Sequence, residues 1–127
     1  MQKILIVDDD KNYASVLIDS LKFHGFEATT VQDVDCVLEA AQAFKPDIVL
    51  LDIMMPKMAG TEVRSELLKN PATKLTPVIY LTGLRPPRYS PRSKGTANRP
   101  TGVRTVGKSG DLRELLDAIR ETLEPSK

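Results

Sequence analysis

With 127 residues, 41% of them apolar and 28% charged, the chain is long enough to bury one sizeable core, and a single domain spanning 1–127 is expected. No apolar run approaches the ~20 residues that a bilayer span requires. The start of the chain lacks a signal-peptide pattern, and a lone Cys36 excludes an internal disulfide, so a reducing cytoplasm is the expected setting.

The net charge of +1 conceals an asymmetry. Seven of the 18 Lys and Arg residues fall between Gly83 and Gly110, where there is no Asp or Glu. The remaining 11 stand against all 17 acids, so one segment differs electrically from everything around it.

In chain order, Ile4 to Val7 reads as a buried strand. Ala14, Leu17, Ile18 and Leu21 follow at helical spacing, with Gly25 as a stop. Glu27 to Val31 is a weaker strand. Asp33 is placed to cap a helix carrying Val34, Val37, Leu38 and Ala41, which must end before Pro46. Asp47 to Leu51, apolar throughout its interior, predicts a central strand covered on both faces. Thr61 to Lys69 predicts a helix closed by Asn70 and Pro71, and Pro77 to Leu81 a fourth strand. Residues 84–101 are rich in Pro, Ser, Arg and Gly without usable period; Val103 to Val106 forms a fifth strand. Leu112, Leu115, Leu116, Ile119 and Leu123 line one face of a last helix, with Asp111 and Glu114 placed for a capping box.

This alternation implies an α/β fold: a flavodoxin-like, doubly wound, five-stranded parallel sheet in the order 2-1-3-4-5. Ligands of such sheets bind beyond the carboxyl ends of the strands. Asp8, Asp9 and Asp10 stand after strand 1, Asp52 after strand 3, Thr82 and Gly83 after strand 4, and Lys108 after strand 5. Each has an ordinary explanation taken singly: acids after a strand cap the next helix, and an Asp at a strand end makes a turn. Together they would form one pocket of up to three carboxylates, a hydroxyl and an ammonium. Clustered carboxylates repel, which favours either protonation or a bound cation. Hard oxygen ligands suit Mg²⁺, and a carboxylate beside such an ion can attack a phosphoryl group to form an acyl phosphate.

The segments ILIVDDD, PDIVLLDIMMPKMAG, PVIYLTG and VGKSGDLRELL resemble the receiver domain of two-component response regulators. The resemblance runs in order from strand 1 to the last helix, residues 84–101 excepted. It implies Asp8 and Asp9 as holders of Mg²⁺, Asp52 as the phosphoacceptor and a further metal ligand, and the Met54 backbone carbonyl as another. It implies Thr82 and Lys108 as partners of the phosphoryl oxygens. A histidine kinase or phosphotransfer protein would be the phosphodonor, and an unknown protein the downstream target. The domain would catalyse only its own phosphotransfer and dephosphorylation.

Three positions depart from the pattern. Ser109 stands where the family usually has proline after the lysine, and Thr105 where it usually has Tyr or Phe. Residues 84–101 replace the usual fourth helix, because Pro86, Pro87, Pro91 and Pro100 break a regular one. An irregular loop is expected there, exposing a surface made basic by Arg85, Arg88, Arg92, Lys94, Arg99 and Arg104. With a single Tyr89 for base stacking, it points to an acidic protein partner rather than nucleic acid. Among the residues left over, His24 reads as a helix-end residue, Cys36 as a small apolar filler on a helix, and Met54, Met55 and Met58 as packing in a turn.

The leading function is a phosphorylation-driven switch without an attached output domain, acting through protein docking and with no membrane partner. The alternative is a receiver-like binding module that signals without phosphorylation, favoured by Thr105 and the altered fourth helix and opposed by the intact acids, Thr82 and Lys108. A Mg²⁺-dependent phosphatase using Asp52 as nucleophile is opposed by Met54, where such an enzyme would need a second carboxylate. A flavin-binding protein of the same topology lacks a phosphate-cradling loop.

Overall fold

The computed structural model describes residues 2–53, 59–82, 104–108 and 112–123. Five strands, β1 (Lys3–Val7), β2 (Glu27–Val31), β3 (Ile48–Asp52), β4 (Val78–Thr82) and β5 (Arg104–Gly107), form one parallel sheet in the order β2-β1-β3-β4-β5. Helices α1 (Lys11–Phe23), α2 (Val37–Phe44), α3 (Gly60–Lys69) and α4 (Leu112–Leu123), with one 3-10 turn at Val34–Cys36, complete the described elements. The strand order is the one implied by the alternation in the sequence.

Strand geometry sends successive side chains to opposite faces, and the two cores follow that rule residue by residue. Ile4 and Ile6 of β1, Ile48 and Leu50 of β3, and Ile79 and Leu81 of β4 pack with α1 and α4 through Leu17, Leu21, Leu115 and Ile119. Leu5, Val7, Val49, Leu51, Val78 and Tyr80 pack on the other face with α2 and α3 through Val37, Ala41, Val63 and Leu67. All five residues of β3 are buried, so its apolar run reflects helices above and below. At ~1.5–3 kcal/mol per fully buried large aliphatic side chain, these two layers are the main force closing the fold.

Local chemistry sets the helix ends. Gly25, at φ +92°, follows α1 in the left-handed region. Its N–H donates to Lys22 O, and the Phe26 N–H to Leu21 O, the paired bonds of a Schellman ending with Phe26 and Leu21 together in the core. His24 sits at the same helix end, exposed, its Nδ1 2.8 Å from Ser20 O. The expectation for Asp33 needs correction: its carboxylate accepts from Asp35 N–H and caps a 3-10 turn, Val34–Cys36, while α2 itself starts at Val37. Cys36 is likewise an exposed junction residue rather than an apolar filler, because the turn directs Val37 inward instead.

No helix among the described residues is long and apolar enough to cross a membrane. The basic stretch 84–101, the Asp111 half of the capping box, Ser109, and the turn holding Met54, Met55 and Met58 lie outside the described residues.

Candidate functional site

The carboxyl ends of β1, β3, β4 and β5 meet at one edge of the sheet. Three of these ends are tied by backbone bonds that continue the ladder beyond the strands: Asp8 N–H to Val31 O at 3.2 Å, Ile53 N–H to Leu81 O at 2.9 Å, and Lys108 N–H to Thr82 O at 2.8 Å. The loops carrying the functional groups therefore leave the sheet at fixed points.

The three consecutive acids have three different fates. Asp10 is the N-cap of α1: its carboxylate accepts the Tyr13 N–H at 3.0 Å, so the ordinary capping explanation holds for this acid. Asp8 is wholly buried, with 0% relative exposure. One of its oxygens, Oδ1, accepts the Asp10 N–H at 2.9 Å. The other, Oδ2, lies 2.7 Å from Lys108 Nζ in an ion pair and has no further partner among the described residues. Asp9 is exposed on the pocket rim.

Asp52 ends β3 and is 3% exposed, with Oδ2 3.2 Å from Lys108 Nζ. Behind it, the first residue of α3 must be glycine. A Cβ on Gly60 would stand 2.5 Å from the Asp52 carbonyl oxygen and 2.9 Å from Ile53 Cα. The Gly60 N–H also donates to Ile53 O at 2.7 Å, which draws the start of α3 against the chain that carries Asp52.

Carboxylate oxygens of Asp8, Asp9 and Asp52 lie within 4.8 Å of one another. Among the described residues a single ammonium, that of Lys108, faces this cluster of three acids. Burial alone would lower the Lys108 pKa, but hydrogen bonding and attraction from Asp8, with the charge of Asp52, outweigh it and hold the ammonium above its usual value. Thr82 is buried at the end of β4, one strand from Asp52, and Thr105 is half-buried opposite Tyr80 in β5. The structure thus brings together Asp8, Asp9, Asp52 and Lys108, with Thr82 at the adjoining strand end. The Met54 carbonyl lies outside the described residues.

One member of the site was not singled out in the sequence. The Tyr13 ring stands beneath Lys108 Nζ, 4.9 Å from ring centre to nitrogen. Burial, then the charges of Asp8, Asp52 and Asp10, push the Tyr13 phenol up to about 12. The available signal was position: Tyr13 lies in the first turn of α1, which begins directly after the acids that follow β1.

The sequence profile described as "Response regulator receiver domain" matches residues 4–120. The chain is a member of the response-regulator receiver family. The sensory transduction protein RegX3 of Mycobacterium tuberculosis (strain ATCC 25618 / H37Rv) is 37% identical over 123 residues, which are 97% of this chain and 51% of RegX3. The chain spans about a third to a half of the length of the curated relatives it matches. Among solved structures, that of histidine kinase ThkA in complex with response regulator protein TrrA contains a chain that matches at TM-score 0.78. It is 30% identical, covering 98% of this chain and 100% of that one. TrrA from Thermotoga maritima in complex with Mg²⁺-BeF matches at TM-score 0.76 and 28% identity, covering 95% and 98%.

Proposed function

We propose that this receiver is the phosphoacceptor of a two-component phosphorelay, switched by Mg²⁺-dependent phosphorylation of Asp52 and acting by docking on a protein partner. The observation that carries the reading is the convergence on Lys108. One ammonium, placed by the edge strand, pairs with acids from β1 and β3 at 2.7 and 3.2 Å, and three carboxylate oxygens lie within 4.8 Å beside it.

The residues fit a hard divalent cation. Asp8 Oδ2 is buried with the Lys108 ammonium as its one described partner, and three carboxylates gather around that single described cation. Asp8, Asp9 and Asp52 would hold Mg²⁺, with the Met54 carbonyl as a further ligand. When bound, the ion would supply positive charge toward the phosphoryl oxygens.

An Asp52 carboxylate oxygen attacks phosphorus, and the bond from phosphorus to the donor breaks with its electron pair leaving on the donor. The phosphoryl group brings about −1.5 to −2 charges to Asp52, and Lys108 Nζ, already within reach of that carboxylate, pairs with one of its oxygens. Thr82 offers a hydroxyl from the neighbouring strand end. The domain catalyses only this transfer and its own dephosphorylation. A histidine kinase or phosphotransfer protein is the phosphodonor, in keeping with the complex of TrrA with its kinase.

The test is mass spectrometry after incubation with acetyl phosphate and Mg²⁺. A single phosphoryl adduct is expected in the wild type and none in Asp52→Asn, while Asp9→Asn mainly weakens Mg²⁺ binding. Equal labelling of wild type and Asp52→Asn would end the proposal. A phosphorylation-independent binding module is favoured by Thr105, a small residue in β5 where the resemblance leads one to expect an aromatic. An unlabelled wild type that still captures its partner would support that second reading.

A further inference from the structure

We propose that Tyr13 is the positioning residue for Lys108: its ring forms a platform that holds the ammonium over Asp8 and Asp52. The inference rests on the phosphoacceptor reading for its effect on labelling, and on geometry alone for the contact itself.

Lys108 is suited to such a platform, because among the described residues its side chain is held by its charged tip. It follows β5, a four-residue edge strand with β4 as its neighbour in the sheet. A single backbone bond to Thr82 O continues the ladder at this residue. Beyond that point a flexible four-carbon stem separates the backbone from the charge. The two carboxylates hold the ammonium, Asp52 by a hydrogen bond of 3.2 Å and Asp8 by an ion pair at 2.7 Å, but both act on the tip and leave the stem unsupported.

An aromatic face adds the missing restraint. It attracts a cation through the ring quadrupole within about 6 Å of its centre, and Lys108 Nζ is 4.9 Å from that of Tyr13. The ring itself is well anchored. The Tyr13 backbone N–H is held by the Asp10 cap, and its side chain packs against the core cluster that includes Ala14 and Leu17. Tyr13 and Lys108 also share the wall of a groove of about 180 Å³ between α1 and α4, bordered by Val16, Leu17 and Leu112. Without the ring, the lysine stem has room to turn away from the acids into that groove. The ring thus acts by attraction on one side and by occupancy on the other.

The experiment compares wild type, Tyr13→Phe, Tyr13→Leu and Tyr13→Met in the full chain, the last guarding against poor folding of the leucine variant. Two readouts are taken. The first is the NMR shift of the Lys108 side-chain methylene protons next to Nζ, which a ring face moves upfield. It should persist in Tyr13→Phe and vanish in Tyr13→Leu and Tyr13→Met. The second is the rate of labelling by acetyl phosphate with Mg²⁺. It should fall about three- to tenfold in the leucine and methionine variants, the range a cation–π contact of this kind supports, and stay near wild type in Tyr13→Phe. In a Lys108→Ala background, Tyr13→Leu should cause no further loss.

Unchanged Lys108 shifts in both non-aromatic variants would overturn the proposal, as would an equal slowing by Tyr13→Leu with and without Lys108. Should the wild type fail to label at all, the phosphoacceptor reading falls, and the NMR comparison still decides whether Tyr13 positions the lysine.

Discussion

The acid side and the cation side of the pocket are built in different ways. Asp52 closes a strand that is buried along its whole length between β1 and β4, with the backbone of Gly60 pressed against its carbonyl. Lys108 follows a short edge strand, and its ammonium is located by side-chain contacts with Asp8, Asp52 and Tyr13. The acids are part of the frame; the cation is suspended beside it. Under the proposed function this division is useful: a group that receives a phosphoryl bond gains from a fixed position, whereas a group that follows the new charge gains from contacts that can be remade.

The difference predicts unequal responses to substitution. The largest is expected at Gly60. Gly60→Ala places a methyl 2.5 Å from a backbone oxygen in a region with little freedom to move, so chemical denaturation should show a loss of about 3 kcal/mol or more, at or above the upper end of ordinary overpacking. A loss below about 0.5 kcal/mol would mean that the acid side yields as readily as the cation side.

Next comes Lys108→Ala. The sequence alone suggests a change within about 1 kcal/mol, as for a surface residue. The structure argues for more, because Asp8 Oδ2 is buried and would keep neither a hydrogen bond nor its ion pair. In Mg²⁺-free buffer the expected loss is ~1–3 kcal/mol, shrinking as Mg²⁺ is added, since an ion bound to the folded state stabilises it. Thermal melts with and without Mg²⁺ check this, and a loss that ignores Mg²⁺ would sharpen the case against a cation at these acids.

A smaller effect is expected at Asp10, which serves α1 rather than the pocket. Asp10→Ala removes one helix cap and should cost about 1 kcal/mol, read from the same melts.

The smallest effect is a matter of pH. Folding raises the pKa of Tyr13, chiefly by burial, and also that of Lys108, where the acids outweigh burial. A group whose pKa is raised in the folded state stabilises below its unfolded value, and that stabilisation is lost as pH climbs through the folded value. Stability should therefore decline as pH rises from about 10 toward 12, where the folded Tyr13 titrates. Tyr13→Phe should flatten the decline in part, leaving the share due to Lys108. Identical slopes in the two proteins would remove the phenol from the account.

Much of this protein was legible before any coordinates. The parallel sheet followed from alternation, and its central strand from the run before Asp52, because a buried parallel strand needs apolar residues on both faces; five such strands suggested the order. The same logic located Asp8, Asp9, Asp52, Thr82 and Lys108 at strand ends, since a parallel sheet brings all its carboxyl ends to one edge. What the linear order could not decide was the division of labour among neighbours. Asp8, Asp9 and Asp10 are chemically identical, and only the turn into α1 makes one a buried partner of Lys108, one an exposed acid beside that pair and one a helix cap. Nor could it decide what lies under Lys108. That the ring of Tyr13 does so depends on how α1 packs beside β5, a contact between residues 95 positions apart in the chain. Patterns repeated along a strand or helix are local and survive in the sequence; a contact between two side chains on separate elements exists only once the cores have set those elements side by side.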